Sequence, residues 1–321
     1  MAEPEGKATA ASLHGGPHMG LQGGLPSGLR AVTAANASAM TGPGTTTWIL
    51  GEGSVAVIDP GPDDPAHLQA ILTALSPGES VAAILVTHPH LDHSALAPRL
   101  KRATGAPVLG FGPAGSGRSP LMERLAAAGL GGGGEGVDQG FDPDRRLCDG
   151  EVVAAGGWRL QALHTPGHMA EHLCFAWDRV LFTGDMVMGW APSLVSPPDG
   201  DMGAYLASLD RLARGVAGGV AGGDWRLMLP THGPAVTDPG ARLADLTVHR
   251  RTREAQVLAA LASGATHLPQ VVAQVYRDIP SDLHPAAARN ALAHLIDLAE
   301  RNLVRAEPFP FPDALFRLCD R

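Results

Sequence analysis

Short apolar runs and amphipathic stripes divide this chain into recognisable elements. Trp48-Ile49-Leu50 and Val55-Ala56-Val57-Ile58 are separated by Gly51-Glu52-Gly53, the pattern of two strands joined by a tight turn. Pro60-Gly61-Pro62 ends the second run. Asp63 or Asp64 then stands where a helix cap is needed, and Leu68, Ile71, Leu72 and Leu75 share one face of the helix that follows. The apolar run 81–86 has the length of a buried strand, and 96–100 reads as the start of a helix. Strand-like runs recur at 158–163, 173–177, 180–182 and 227–229, with a helical stripe at Tyr205, Leu206, Leu209 and Leu212 between them. Strands, helices and strands again predict two sheets enclosed by helices.

The pattern changes near His249. Val257, Leu258 and Leu261 form one stripe that stops at Gly264. Leu268, Val271, Val272, Val275 and Tyr276 form a second, and Leu292, Leu295, Ile296, Ala299 and Leu303 a third. Residues from Val304 onward suit a short extended wing. The expected organisation is a flexible lead-in over 1–28, a main domain over 29–245, and a small helical domain with its tail over 246–321. Residues 112–147 are Gly-rich, carry a short helical piece around 121–128, and read as an insertion or lid.

Composition narrows the class. The chain has 321 residues, 45% hydrophobic and 17% charged, which suits a globular protein rather than a disordered one. A net charge of −8 offers no global attraction for polyanions, so a nucleic-acid partner would need a local basic patch. Cys148, Cys174 and Cys319 lack metal-type spacing and read as free thiols in a reducing compartment. No run of about 18 apolar residues exists to span a membrane. The first residues have no apolar core of the signal-peptide kind, and the expected location is the cytoplasm.

The densest chemical signal is His88-Pro89-His90-Leu91-Asp92-His93, four donors in six residues immediately after a buried strand. A divalent ion needs several nitrogen and oxygen donors converging on one point, which this spacing supplies. Other strand-like runs also end in a donor: His168 in His164-Thr165-Pro166-Gly167-His168, Asp185 after Phe182-Thr183-Gly184, and His232 between Thr231 and Gly233. Each alone reads as a loop residue; the series makes a metal site.

In that order, HxHxDH, TPGH, FTGD and THG resemble the metallo-beta-lactamase superfamily over roughly residues 30–240. The resemblance implies an α/β fold, the αββα sandwich, and two divalent metal ions. His88, His90 and His168 would hold one ion, and Asp92, His93 and His232 the other, with Asp185 bridging them. Nitrogen-rich donors favour Zn²⁺, with Mn²⁺ or Fe²⁺ as alternatives. The implied activity is a hydrolase in which a metal-held hydroxide attacks an ester, thioester or similar acyl substrate, with Asp92 orienting the nucleophile or taking its proton. Single-strand endoribonuclease or phosphodiesterase chemistry is the alternative, and a beta-lactamase the third reading.

Asp59 matches the superfamily's early aspartate and reads as support behind the ligands. His172 reads either as a substrate or supporting contact or as a structural histidine, Trp190 as part of the substrate wall, and Tyr205 as either pocket or packing. The three-helix end is similar to the winged-helix domain of one branch of the superfamily, which contains an endoribonuclease and fungal thioesterases on acyl carriers. His249-Arg250-Arg251-Thr252-Arg253 is its clearest basic patch. Arg289, Asn290, Arg301 and Asn302 on the third helix are accompanied by Asp297 and Glu300. Packing against the cleft or building a homodimer is therefore the preferred role of this domain, and nucleic-acid binding the lesser one.

Overall fold

The computed structural model describes residues 24–131, 136–215 and 224–319. Residues 1–23 of the expected flexible lead-in, and Gly132 to Glu135 of the Gly-rich stretch, lie outside the described residues.

A first sheet has the strand order β1 (Leu29–Thr33), β2 (Thr46–Leu50), β3 (Ser54–Ile58), β4 (Ser80–Leu85), β5 (Val108–Gly110) and β6 (Arg145–Arg146). The hairpin β2–β3 is antiparallel, whereas β3, β4, β5 and β6 run parallel. The second sheet comprises β7 (Val152–Ala155), β8 (Trp158–His164), β9 (Leu173–Trp177), β10 (Val180–Gly184) and β11 (Leu227–Pro230), in the reverse spatial order β11 to β7.

Strand periodicity explains why these runs are apolar on every position. Side chains alternate between the two faces of a strand, and both faces are covered here. Trp48, Leu50, Ala56 and Ile58 meet Leu160, Ala162, Phe175 and Phe182 between the sheets. Their neighbours Ile49, Val55 and Val57 turn the other way, against Ile71 of α1 (Pro65–Thr73) and Leu100 of α3 (Ala97–Thr104). On the far side, Leu163, Cys174, Leu181 and Met228 pack on Tyr205, Leu209 and Leu212 of α5 (Met202–Arg214) and on Leu243 and Leu246 of α6 (Pro239–Ala262). The layers are therefore helix, sheet, sheet, helix, as expected. The one-turn helix α2 (Leu91–Ser94) and α4 (Pro120–Ala127) complete this part of the chain.

The C-terminal domain contains the end of α6, then α7 (Leu268–Val275), α8 (His284–Glu300) and the hairpin β12 (Val304–Glu307) with β13 (Leu315–Leu318). Its core gathers Val257, Leu261, Val271, Val275, Leu292, Leu295 and Phe316. The boundary drawn at 245/246 falls within a single helix, α6. In the Gly-rich stretch, Leu121, Met122, Leu125 and Leu130 are buried in the helical core. A short amphipathic helix needs tertiary packing to persist, and this one finds it on the second domain.

Candidate metal centre

Strand direction brings the donors together. β8, β10 and β11 all point the same way, because β8 and β10 each run antiparallel to β9 while β11 is parallel to β10. His168, Asp185 and His232 therefore leave the second sheet at one edge. His88 and His90 follow β4 in the facing sheet, and α2 carries Asp92 and His93. All seven side chains meet at this common rim. The donor atoms of His88, His90 and His168 lie within 4.8 Å of one another, as do those of His88, His93 and Asp185, and those of Asp92, His93 and His232.

The hydrogen bonds behind the imidazoles define which nitrogen faces inward. Nδ1 of His168 donates to the Leu194 carbonyl at 2.6 Å, and Nδ1 of His232 to the Gly44 carbonyl at 3.3 Å. Nδ1 of His93 donates to Asp59 Oδ2 at 2.9 Å. The Thr87 hydroxyl gives its one proton to Asp59 Oδ2 at 2.8 Å, so it accepts from His88 Nδ1 at 2.9 Å. A neutral imidazole with its proton on Nδ1 presents a lone pair at Nε2. Four rings consequently aim lone pairs into one buried space, where His88 Nε2 stands 2.9 Å and His168 Nε2 3.2 Å from His90 Nδ1.

Asp185 faces both groups. Its Oδ1 is 3.5 Å from His93 Nε2 and 3.6 Å from His232 Nε2, while Oδ2 is 3.7 Å from His168 Nε2. Asp92 Oδ2 lies 3.1 Å from His232 Nε2. Two buried atoms of the centre, His93 Nε2 and Asp185 Oδ1, have no hydrogen-bond partner among the described residues. Buried polar atoms are ordinarily paired, so this vacancy in the bonding pattern calls for a cation. The donor set fits a metal: imidazole and carboxylate, without thiolate.

The charges agree. Burial, reinforced by the neighbouring rings His93, His90, His168 and His172, holds His88 well below the usual imidazole range, and burial with His168 and His93 takes His90 down to about 3. For His93 burial works in the same direction, but Asp92, Asp185 and Asp59 outweigh it and raise the ring well above its ordinary value. For Asp92 burial opposes ionisation, yet His93 and His232 hold the carboxyl down to about 2. His88 and His90 are thus neutral beside ionised carboxylates, as metal ligands must be, whereas the carboxylates around His93 and His232 favour positive charge there, the charge that a cation would supply in place of a proton.

Asp59 is buried and accepts from Thr87 N–H, the Thr87 hydroxyl, His93 Nδ1 and the Thr231 hydroxyl. His172 lies behind the donors, stacked on His88 with ring centroids 5.1 Å apart, and its Nε2 accepts the Asp185 N–H at 3.2 Å. It is packed away from the cleft. Gly184 leaves room for it, since a β-carbon there would come within 2.7 Å of His172 Nε2. Tyr205 is also buried; its hydroxyl donates to the Met186 carbonyl at 3.1 Å, and Arg250 covers its ring. Its packing role is the one realised.

A cleft of about 530 Å³ opens over the donors. Met188, Trp190 and Leu194 line it from the loop after Asp185, and His249, Arg253 and Tyr276 from the helical domain. Trp190 lies on the His232–Gly233 turn, where a β-carbon on Gly233 would sit 2.3 Å from Trp190 Cδ1 and the backbone has φ +82°. Only glycine permits this contact. The wall loop is braced by α6 and α8. Arg242 donates to the carbonyls of Met188 and Ala191, Arg250 to that of Ser193, and Asn290 accepts the Val195 N–H. The supposed basic patch is thus divided: Arg250 is 2% exposed, whereas Arg251 is exposed and Arg253 half-buried. Thr87, Thr231 and the carbonyls of Leu194 and Gly44 carried no sequence signal, because threonines and backbone groups beside histidines are common everywhere.

Comparison with known proteins agrees with this geometry. The profile of the Metallo-beta-lactamase superfamily matches residues 39–221, and that of the Beta-lactamase associated winged helix domain matches 268–308. The chain is 28% identical over 291 residues to "Lactamase-like protein aptB" of Emericella nidulans, covering 86% of this chain and 82% of that one. It is 28% identical over 271 residues to "Atrochrysone carboxyl ACP thioesterase" of Aspergillus chevalieri, covering 80% and 75%. The fold resembles the crystal structure of a beta-lactamase domain protein from Burkholderia ambifaria, with a TM-score of 0.72, 22% identity, and coverage of 92% and 93%.

Proposed function

The chain belongs to the metallo-beta-lactamase superfamily, and on that premise we propose that it is a dinuclear metal-dependent hydrolase of acyl substrates, esters or thioesters. The observation that carries the dinuclear reading is Asp185, whose two oxygens face different histidine groups. His88, His90 and His168 would hold one ion, Asp92, His93 and His232 the second, and Asp185 both; Zn²⁺ is the expected ion for so many imidazoles. Such ions, when bound, acidify water and polarise a substrate oxygen.

The side chains of the protein supply the rest. Asp92 is ionised, and its side chain, 26% exposed, borders the cleft. It is placed to orient a water or accept its proton. Asp59, Thr87 and the Leu194 carbonyl hold the histidines in one tautomer, so the site is arranged before substrate arrives. Met188, Trp190, Leu194 and the apolar residues of the helical domain offer an acyl chain a largely apolar wall.

The acyl reading is favoured over RNA cleavage by the orientation of the cations. Arg250 and Arg242 are engaged with wall-loop carbonyls, and Arg289 donates to the Ser196 hydroxyl and the Gly131 carbonyl. Backbone affinity for nucleic acid requires several cations presented together. The similarity to a carrier-protein thioesterase supports the same reading. A panel of thioesters, esters, a beta-lactam and single-stranded RNA, each with and without chelator, tests it. Chelator-sensitive thioester turnover with intact RNA is expected; RNA cleavage without acyl hydrolysis would refute it.

A further inference from the structure

The helical domain gives the cleft two arginines and a half-buried histidine. Arg250, Arg253 and His249 line it, whereas the acidic residues lining it are Asp92 and Asp185, both at the metal centre. Arg250 is committed to Ser193, Asn290 and the Tyr205 ring. Arg253 is engaged differently. One terminal nitrogen donates to the Val275 carbonyl at 2.7 Å and to Gln256 at 2.9 Å, and the guanidinium lies 4.7 Å over the Tyr276 ring. Its other terminal nitrogen and Nε make no hydrogen bond among the described residues. An arginine fixed at one corner and stacked on an aromatic ring is pre-oriented, so its open edge recognises a planar or tetrahedral oxyanion at little entropic cost.

His249 stands on the same helix, four residues earlier, half-buried and without a hydrogen bond at either ring nitrogen among the described residues. Burial, with Arg250, Arg253 and Arg242 around it, lowers it to about 4. Residues at i and i+4 on a helix lie side by side. Ile279, Leu283, Ala286 and Ala287 line the same part of the molecule, giving an apolar surface next to the two polar groups.

We propose that Arg253 and His249 form an anion subsite, so that the substrate is an acyl compound bearing a carboxylate or phosphate remote from the bond that is cut, separated from it by an apolar segment. The identity of the cut bond rests on the acyl-hydrolase reading above; the subsite itself does not depend on turnover. The carboxylate would belong to the acyl part and the phosphate to the leaving thiol or alcohol. Both offer oxygens to the same guanidinium edge.

Binding, rather than activity, tests this in the metal-loaded full-length protein. Octanoate, octyl phosphate and octan-1-ol are titrated by calorimetry against wild type, Arg253→Ala and Arg253→Lys, with thermal melts establishing that each variant is folded. Either anion should bind at least about tenfold more tightly than the alcohol. Arg253→Ala should remove that advantage while leaving alcohol affinity unchanged, and Arg253→Lys should restore part of it. Preference for octanoate assigns the charge to the acyl part, and preference for octyl phosphate to the leaving group. In wild type, the His249 imidazole NMR signals should move with the anions and not with octanol, a readout that requires no substitution. The subsite is refuted if both anions bind no better than octanol, if the anion advantage survives Arg253→Ala, or if that change weakens all three probes equally. Because no turnover is measured, failure here leaves the hydrolase reading standing, and absence of turnover on the substrate panel leaves the subsite standing.

Discussion

Asp59 Oδ2 accepts the Nδ1 proton of His93 at 2.9 Å, and the same carboxylate gathers both donors of Thr87 and the hydroxyl of Thr231. One buried side chain thus joins the ends of β3, β4 and β11 behind the metal donors. Asp59→Asn keeps the shape but turns an amide donor toward other donors. Metal affinity is expected to fall about 10–100-fold, by competition with a chromophoric chelator. Stability should drop by about 3 kcal/mol in urea unfolding, from buried donors left unmatched.

His90 has the nitrogens of both His88 and His168 about its Nδ1. Removing it by His90→Ala should lower bound metal from two ions per chain toward one, by elemental analysis. Hydrolysis should fall by at least about a hundredfold, since losing a ligand costs no less than losing its support. Full activity with full metal content would overturn the assignment.

Glu171 sets a pH dependence of stability. Its carboxyl is buried, accepts the Gly115 N–H through Oε1, and has no hydrogen-bond partner at Oε2 among the described residues. Burial raises it to about 7, above the 4.5 of an unperturbed glutamate. The folded state therefore binds this proton more tightly than the unfolded state, so the group's contribution to stability falls as pH rises from about 4.5 to 7. Above that range its ionisation costs about 3 kcal/mol, on the order of the shift converted at 1.36 kcal/mol per unit. Glu171→Gln should be more stable than wild type at pH 8, and the difference should vanish near pH 4.5. Parallel unfolding curves at both pH values for the two proteins would show the expectation to be wrong.

Asn290 Oδ1 accepts from Val195 N–H and from Arg250, each at 3.1 Å, and so ties α8 to the wall loop. Asn290→Ala should cost about 2–3 kcal/mol by chemical denaturation, because a backbone donor and a buried guanidinium both lose an acceptor. The metal donors remain in place, so KM should rise more than kcat falls. An unchanged KM would mean that the loop keeps its position without this tie.

Much of this was legible from residue order. The run from His88 to His93, and a donor after each of β8, β10 and β11, could be read because strand ends collect functional side chains wherever parallel strands share a rim. The two-sided burial of β3 and β10 was legible in their unbroken apolar runs. What could not be read was direction. The run from His249 to Arg253 read as one basic patch, but helix geometry divides it: Arg250 turns to Tyr205 and Ser193, Arg253 to Tyr276 and the cleft, and Arg251 to Glu254. Likewise the Gly-rich run around α4 concealed Leu121, Met122 and Leu125, whose partners lie on α6 to α8, more than a hundred residues away. Such long-range pairing leaves no mark in local periodicity.

The helix α6 runs unbroken for 24 residues, with Leu243 and Leu246 in the core of the sandwich and Val257 and Leu261 in that of the helical domain. At 1.5 Å per residue it is a rod of about 36 Å set into both halves. A rod of this kind has no joint. The two walls of the cleft are thereby carried on one continuous element, and their spacing follows from where its two ends are seated.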